Sequence, residues 1–131
     1  MKKLTFPFLM LFFALMISLN VSAQTKQPVA FPKGKTETTV RGTVRGYAYV
    51  DYVVKAKAGQ TISVELNAPK IVPVFSILRP DGENLEGAAQ ANDYTGELPT
   101  DGNYSVRVGM MRAFARRKGS VSNYTLKISI Q

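Results

Sequence analysis

The feature that most constrains this chain is a period of two. In Tyr47-Ala48-Tyr49-Val50-Asp51-Tyr52-Val53-Val54-Lys55-Ala56-Lys57, the even positions Val50, Tyr52, Val54 and Ala56 are apolar, whereas Asp51, Lys55 and Lys57 fall on the other side. Side chains of an extended strand alternate between its two faces, so this run, Tyr47 included, reads as a half-buried strand with its odd positions away from the core. After a break at Ala58-Gly59 the rhythm resumes: Ile62, Val64 and Leu66 alternate with Thr61, Ser63 and Glu65, and the pair of runs reads as a hairpin. It returns in Val106, Val108 and Met110, and again in Tyr124, Leu126, Ile128 and Ile130.

Between these runs stand turn residues. Pro80-Asp81-Gly82 and Thr100-Asp101-Gly102 each mark a reversal of the chain. Ile71 to Leu78 is apolar on both parities and reads as a central strand, and Gly87 to Pro99 as a polar loop with one short strand near Tyr94. The polar lead-in from Gln24 to Thr36, with Pro28 and Pro32, is expected to give an edge strand around Val29 to Phe31. After the N-terminal segment, helical spacing is confined to a single turn within residues 110–117. Seven or eight short strands with Gly, Pro and Asp turns imply an all-β fold, a small single-domain antiparallel β-sandwich.

The N-terminal segment is of another kind. MKKLTFPFLMLFFALMISLNVSAQ sets two lysines before an apolar run from Leu9 to Leu19 and small residues before Gln24. This is the pattern of a secretory signal peptide spanning residues 1–23, with cleavage expected between Ala23 and Gln24. A membrane anchor is the competing reading, but the run is short of the roughly 18 residues needed to span and no basic flank follows it. No membrane anchor is expected after cleavage, which leaves residues 24–131, a length suited to one domain. The signal carries off Lys2 and Lys3 but no acid, so the net charge falls from +8 to +6. Such a surplus favours an acidic partner, and export argues against nucleic acid.

Catalysis finds few residues to work with. Histidine and cysteine are both absent, which removes the common transition-metal ligands and most nucleophile–base pairs, and with them disulfide staples. Glycoside hydrolysis needs only two carboxyl groups flanking a bond, but the acids here sit mostly in turns, among them Asp81, Asp93, Glu97 and Asp101. Asp81 to Glu86 lacks the regular oxygen spacing of a calcium loop. The chain is therefore expected not to be an enzyme and to need neither metal nor cofactor.

One stretch concentrates charge. GMMRAFARRKGS, residues 109–120, holds Arg112, Arg116, Arg117 and Lys118. Its plain reading is a solvated hairpin connection between the strands on either side. Arginine, however, grips carboxylates with a planar fork that lysine lacks. Arg112 and Arg116 are four apart, so one helical turn sets both on one side and leaves Met111 and Phe114 free to pack inward. Tyr47 shares the outward parity of Asp51 and Lys55, and Gly46 before it suggests a bend. An outward tyrosine is either plain surface or a binding anchor.

Two long segments, Phe31 to Leu66 and Glu97 to Ile130, carry an ordered set of small motifs. Phe31 precedes Lys33-Gly34; Gly46-Tyr47-x-Tyr49-x-x-Tyr52 follows, then Gly59-Gln60 before a strand. Later come Leu98-Pro99-x-x-Gly102-x-Tyr104, Arg107-Val108, Arg112-x-x-Ala115-Arg116 and a closing strand with Tyr124. This set resembles the bacterial periplasmic inhibitors of goose-type (g-type) lysozyme. The resemblance implies a small β-sandwich, a periplasmic location, and a g-type lysozyme as protein partner, its active-site cleft filled by an arginine-bearing loop. It implies Tyr47, Arg112 and Arg116 as contact residues. Phe114, Arg117 and Tyr49 are secondary contact candidates, whereas residues 71–97 match the pattern poorly.

Other readings stay open beside this one. A non-catalytic peptidoglycan- or glycan-binding β-domain is the main alternative, since the strand-turn pattern also resembles small adaptor domains of secreted peptidases. A structural or stress protein without a dedicated partner requires only a solvated loop and a surface tyrosine. A sheet edge left open would also allow a weak homodimer.

Overall fold

The computed structural model describes residues 24–131. The expected signal peptide, residues 1–23 with Ala23 of its cleavage site, lies outside the described residues. Eight strands and one helical turn follow: β1 (Gln24–Pro28), β2 (Glu37–Arg45), β3 (Tyr49–Ala56), β4 (Thr61–Asn67), β5 (Val74–Leu78), β6 (Asp93–Glu97), β7 (Gly102–Gly109), α1 (Arg112–Ala115) and β8 (Val121–Ile130). They form two four-stranded sheets, β1-β3-β7-β5 and β2-β8-β4-β6, packed as a β-sandwich.

The alternating runs supply both inner faces. Tyr52 and Val54 on β3, Val106 and Val108 on β7, and Phe75 and Ile77 on β5 meet Ile62 and Val64 on β4 and Leu126 and Ile128 on β8, all of them buried. β3 and β4 each present an apolar face to the core, but they do so from opposite sheets. The expected hairpin is accordingly absent: β3 pairs with β1 and β7, and β4 with β6 and β8. Ala58-Gly59 is instead the crossing between sheets. The Ala58 N–H donates to Asp101 Oδ1 at 2.7 Å, and Gly59 adopts a left-handed φ of 88°.

Two further expectations are corrected. The first strand lies at Gln24–Pro28 rather than Val29–Phe31, and it runs parallel to β3 in a sandwich otherwise antiparallel. Thr25, Lys26 and Gln27 stay exposed while the β1 backbone pairs along β3; Val29, which still donates its N–H to Val53 O at 2.9 Å, and Phe31 pack against the core. β5 is an edge strand, not a central one. Its free edge is covered nonetheless, because the loop 84–91 folds back along it. There Phe75 and Ala91 exchange both backbone hydrogen bonds at 2.8 Å, and Leu85 N–H donates to Ile77 O at 2.7 Å. A covered edge resists pairing with foreign strands.

β2 gave little signal, because its inward side reads only Val40, Gly42 and Val44. Under Gly42 lie the hydroxyls of Tyr52 from one sheet and Tyr124 from the other, hydrogen-bonded at 2.6 Å with rings edge-on at 86°. The pair bridges the two sheets through the core. Tyr104 makes a second anchor, its hydroxyl donating to Thr100 O at 2.7 Å and accepting from Thr100 N–H at 3.2 Å, as in the tyrosine corner of many sandwiches.

At one end of the sandwich, two connections lie side by side. The segment 46–48 leads from β2 to β3, and the segment 110–120 leads from β7 through α1 to β8. Since β2 pairs with β8 (Arg45↔Val121) and β3 with β7 (Tyr49↔Gly109), the two connections form adjacent arches from one sheet to the other. The arginine segment is thus not a hairpin connection: its flanking strands belong to opposite sheets.

Candidate functional site

The first arch is a tight turn. Ala48 N–H donates to Arg45 O at 3.0 Å, and Gly46 takes φ 54°, a value L side chains adopt only under strain. Tyr47 therefore sits at the tip of a turn rather than on the strand, 64% exposed. The bend suggested by Gly46 is present.

The second arch carries the single helical turn α1. Met111, its N-cap, offers no capping side chain, and its carbonyl accepts the N–H groups of Phe114 and Ala115 at 2.9 Å. Arg116 N–H closes the turn on Arg112 O at 3.1 Å, the four-residue spacing that sets both arginines on one side. Both are exposed. The inward residue is Ala115, 4% exposed, whereas Phe114 is half-buried and Met111 is 45% exposed. One turn can press only one position onto the body, and Ala115 fills it. Arg117 lays its guanidinium over Phe114 at 5.0 Å from the ring centre.

A chain of hydrogen bonds ties the arches together. Ser120 Oγ donates to Ala115 O at 3.1 Å, and Gly46 N–H donates to Ser120 O at 3.1 Å. The structure thereby brings Tyr47, Arg112 and Arg116 to the same end of the molecule. Residues 42–50 and 108–121 contain no acid, yet hold Arg45, Arg112, Arg116, Arg117 and Lys118. Among the described residues, none of these cations takes part in an ion pair. Arg45, which stands outside the sequence motifs, lines a depression of about 290 Å³ with Arg117. Its one sequence signal was its place directly before Gly46-Tyr47.

The outer face of the first sheet adds a feature that period two mis-described. Asp51 does point away from the core, but it is only 2% exposed. Arg107, its partner across the β3–β7 pairing, donates from Nε and Nη2 to its two carboxylate oxygens at 2.8 and 3.0 Å. The guanidinium also lies 4.3 Å above the Tyr49 ring. The Asp51 hydrogen bonds raise the Arg107 pKa above its ordinary value, outweighing partial burial. Tyr49, a secondary contact candidate, is half-buried under this arrangement. Among the described residues, no group of three or more acids gathers as a metal site would require.

Gly46→Ala tests the first arch. A Cβ there meets nothing nearer than Ala115 O at 3.9 Å, so the penalty is in the backbone, about 1–2 kcal/mol for a left-handed residue. The expected result is a small fall in Tm with a displaced Tyr47 tip, read as changed amide shifts in both arches.

No family model matches the sequence. A curated relative does: the inhibitor of g-type lysozyme of Escherichia coli (strain K12) is 31% identical over 124 residues, covering 92% of each chain. The chain belongs to the g-type lysozyme inhibitor family. Solved structures of family inhibitors agree with the fold. Aeromonas hydrophila PliG, a periplasmic inhibitor of g-type lysozyme, is 33% identical with a TM-score of 0.71, covering 82% of this chain and 97% of that one. Salmonella Typhimurium PliG, described likewise, is 26% identical with a TM-score of 0.65 over 82% and 98%.

Proposed function

We propose that this chain is a periplasmic inhibitor of g-type lysozyme that seats the arginine arch in the enzyme's active-site cleft. It acts by occupancy and performs no catalysis of its own. The observation that carries the reading is the joint exposure of Tyr47, Arg112 and Arg116 at an acid-free end of a family member. A glycosidase cleft must hold catalytic carboxyl chemistry and a sugar chain. A guanidinium entering it can donate two hydrogen bonds to a carboxylate while taking the sugar's place, and Arg112 and Arg116, four residues apart, can enter together. Tyr47 supplies apolar area and a hydroxyl beside them at low entropic cost.

The test is a titration of residues 24–131 against g-type, chicken-type and invertebrate-type lysozymes. Inhibition is expected for the g-type enzyme at micromolar inhibitor or below, with the other two unaffected. An unaltered g-type lysozyme would overturn the proposal, and peptidoglycan capture without any lysozyme would favour the adaptor reading instead.

A further inference from the structure

Beside the arches, Tyr47, Tyr49, Val74, Gln90, Arg107 and Met110 line a groove of about 210 Å³ on the outer face of the first sheet. The groove has a built floor. Arg107 is fixed by the two-point grip of Asp51 and by Tyr49 beneath it. Gln90 is held in a left-handed conformation, φ 51°, with its N–H donating to Ser76 Oγ at 3.1 Å. It is the one non-glycine residue with positive φ among those described.

These observations define what Arg107 can offer. Asp51 takes two of the five guanidinium N–H groups and offsets the charge, while the side chain remains 38% exposed. The remaining donors are already ordered, so engaging them forfeits little side-chain freedom. A neutralised guanidinium suits a neutral acceptor better than a carboxylate. Tyr47 forms both the rim of this groove and the tip of the first arch, so a partner seated on the arches reaches the groove without a gap.

We propose that the lysozyme contact runs from the arches into this groove, where Arg107 donates to a neutral carbonyl oxygen of the enzyme. The proposal rests on the inhibitor reading above. Arg107 thereby differs in kind from Arg112 and Arg116: its contribution holds the complex together and responds little to salt, whereas theirs weakens as salt screens exposed charge.

Two variants test it by binding kinetics against g-type lysozyme at about 0.05 and 0.3 M salt. Arg107→Lys keeps the charge but loses the fork, and Val74→Phe fills the groove from an outward position on β5 while leaving the Asp51 pair intact. Each is expected to dissociate about tenfold faster than the wild type, by a similar factor at both salt concentrations. A merely structural Arg107 would lower the Tm of Arg107→Lys without altering dissociation, and would leave Val74→Phe unaffected. Val74→Phe dissociating within about twofold of wild type, or more slowly, overturns the proposal even if Arg107→Lys does not fold. Should the wild type itself fail to bind, the inhibitor reading falls instead.

Discussion

Replacing Arg112 and Arg116 together by alanine is expected to abolish inhibition of g-type lysozyme while the domain stays folded. A guanidinium–carboxylate pair buried in a complex is sensitive to truncation because the remaining charge is left desolvated. The loss is about 2–5 kcal/mol for one such pair, roughly 30- to several-thousand-fold in affinity. Folding is spared for separate reasons. Both side chains are exposed, neither is ion-paired among the described residues, and alanine forms helix readily. An inhibition titration with a parallel thermal melt decides the matter. If the double variant melts normally and remains within about threefold of wild-type potency, the arginine arch is not the inserting element.

Gly42→Ala is expected to be the most damaging small substitution in the core. An added Cβ would stand 2.5 Å from the Tyr124 hydroxyl and 2.7 Å from that of Tyr52. Both tyrosines are buried, 3% and 1% exposed, so neither can swing aside without opening the core. Overpacking of about 1–3 kcal/mol adds to the hydroxyl bridge, whose loss contributes about 1–3 more. A fall in Tm of roughly 10–30 °C is expected for a domain of this size. Combining Gly42→Ala with Tyr124→Phe removes the nearest clashing atom and should recover part of the loss. A Gly42→Ala variant melting within about 3 °C of wild type would show that the notch is not closed.

The same bridge makes stability sensitive to alkali. Burial first, and the hydrogen bond with Tyr52 second, raise the Tyr124 pKa well above its ordinary value. The folded state therefore keeps a proton that the unfolded chain releases near pH 10. The stabilisation is complete below about pH 10 and declines as pH rises further, because unfolding then gains free energy from deprotonation. Tm measured from about pH 8 to 11 should fall at the upper end, with a shallower fall in Tyr124→Phe.

Strand existence was legible wherever period two was strong. The runs through Tyr52, Val106 and Leu126 became β3, β7 and β8, and the short helical turn fell where the spacing placed it. Partnership was not legible, since alternation names a strand's inward face without saying which strand lies beside it. Alternation alone therefore suggests a β3–β4 hairpin and a solvated Asp51, whereas the fold sets the two strands in opposite sheets and Arg107 across from Asp51. β2 is weakly marked in the sequence because its most telling inward position is a glycine, filled from below by two tyrosines distant in sequence. At the site, Tyr47, Arg112 and Arg116 followed from ordered motifs. Their proximity depends on hydrogen bonds from Ser120 Oγ to Ala115 O and from Gly46 N–H to Ser120 O, which join segments that no periodicity connects.

The paired arches have a mechanical consequence. Each has one foot on either sheet, and the feet stand on neighbouring hydrogen-bonded strands: Arg45 beside Val121, Tyr49 beside Gly109. If the sheets slide past one another, both arches shear together, and the spacing between Tyr47 and the arginines is preserved. The proposed contact end is thus expected to act as a caliper locked at one gauge, tilting with the sandwich while its jaws keep their spacing.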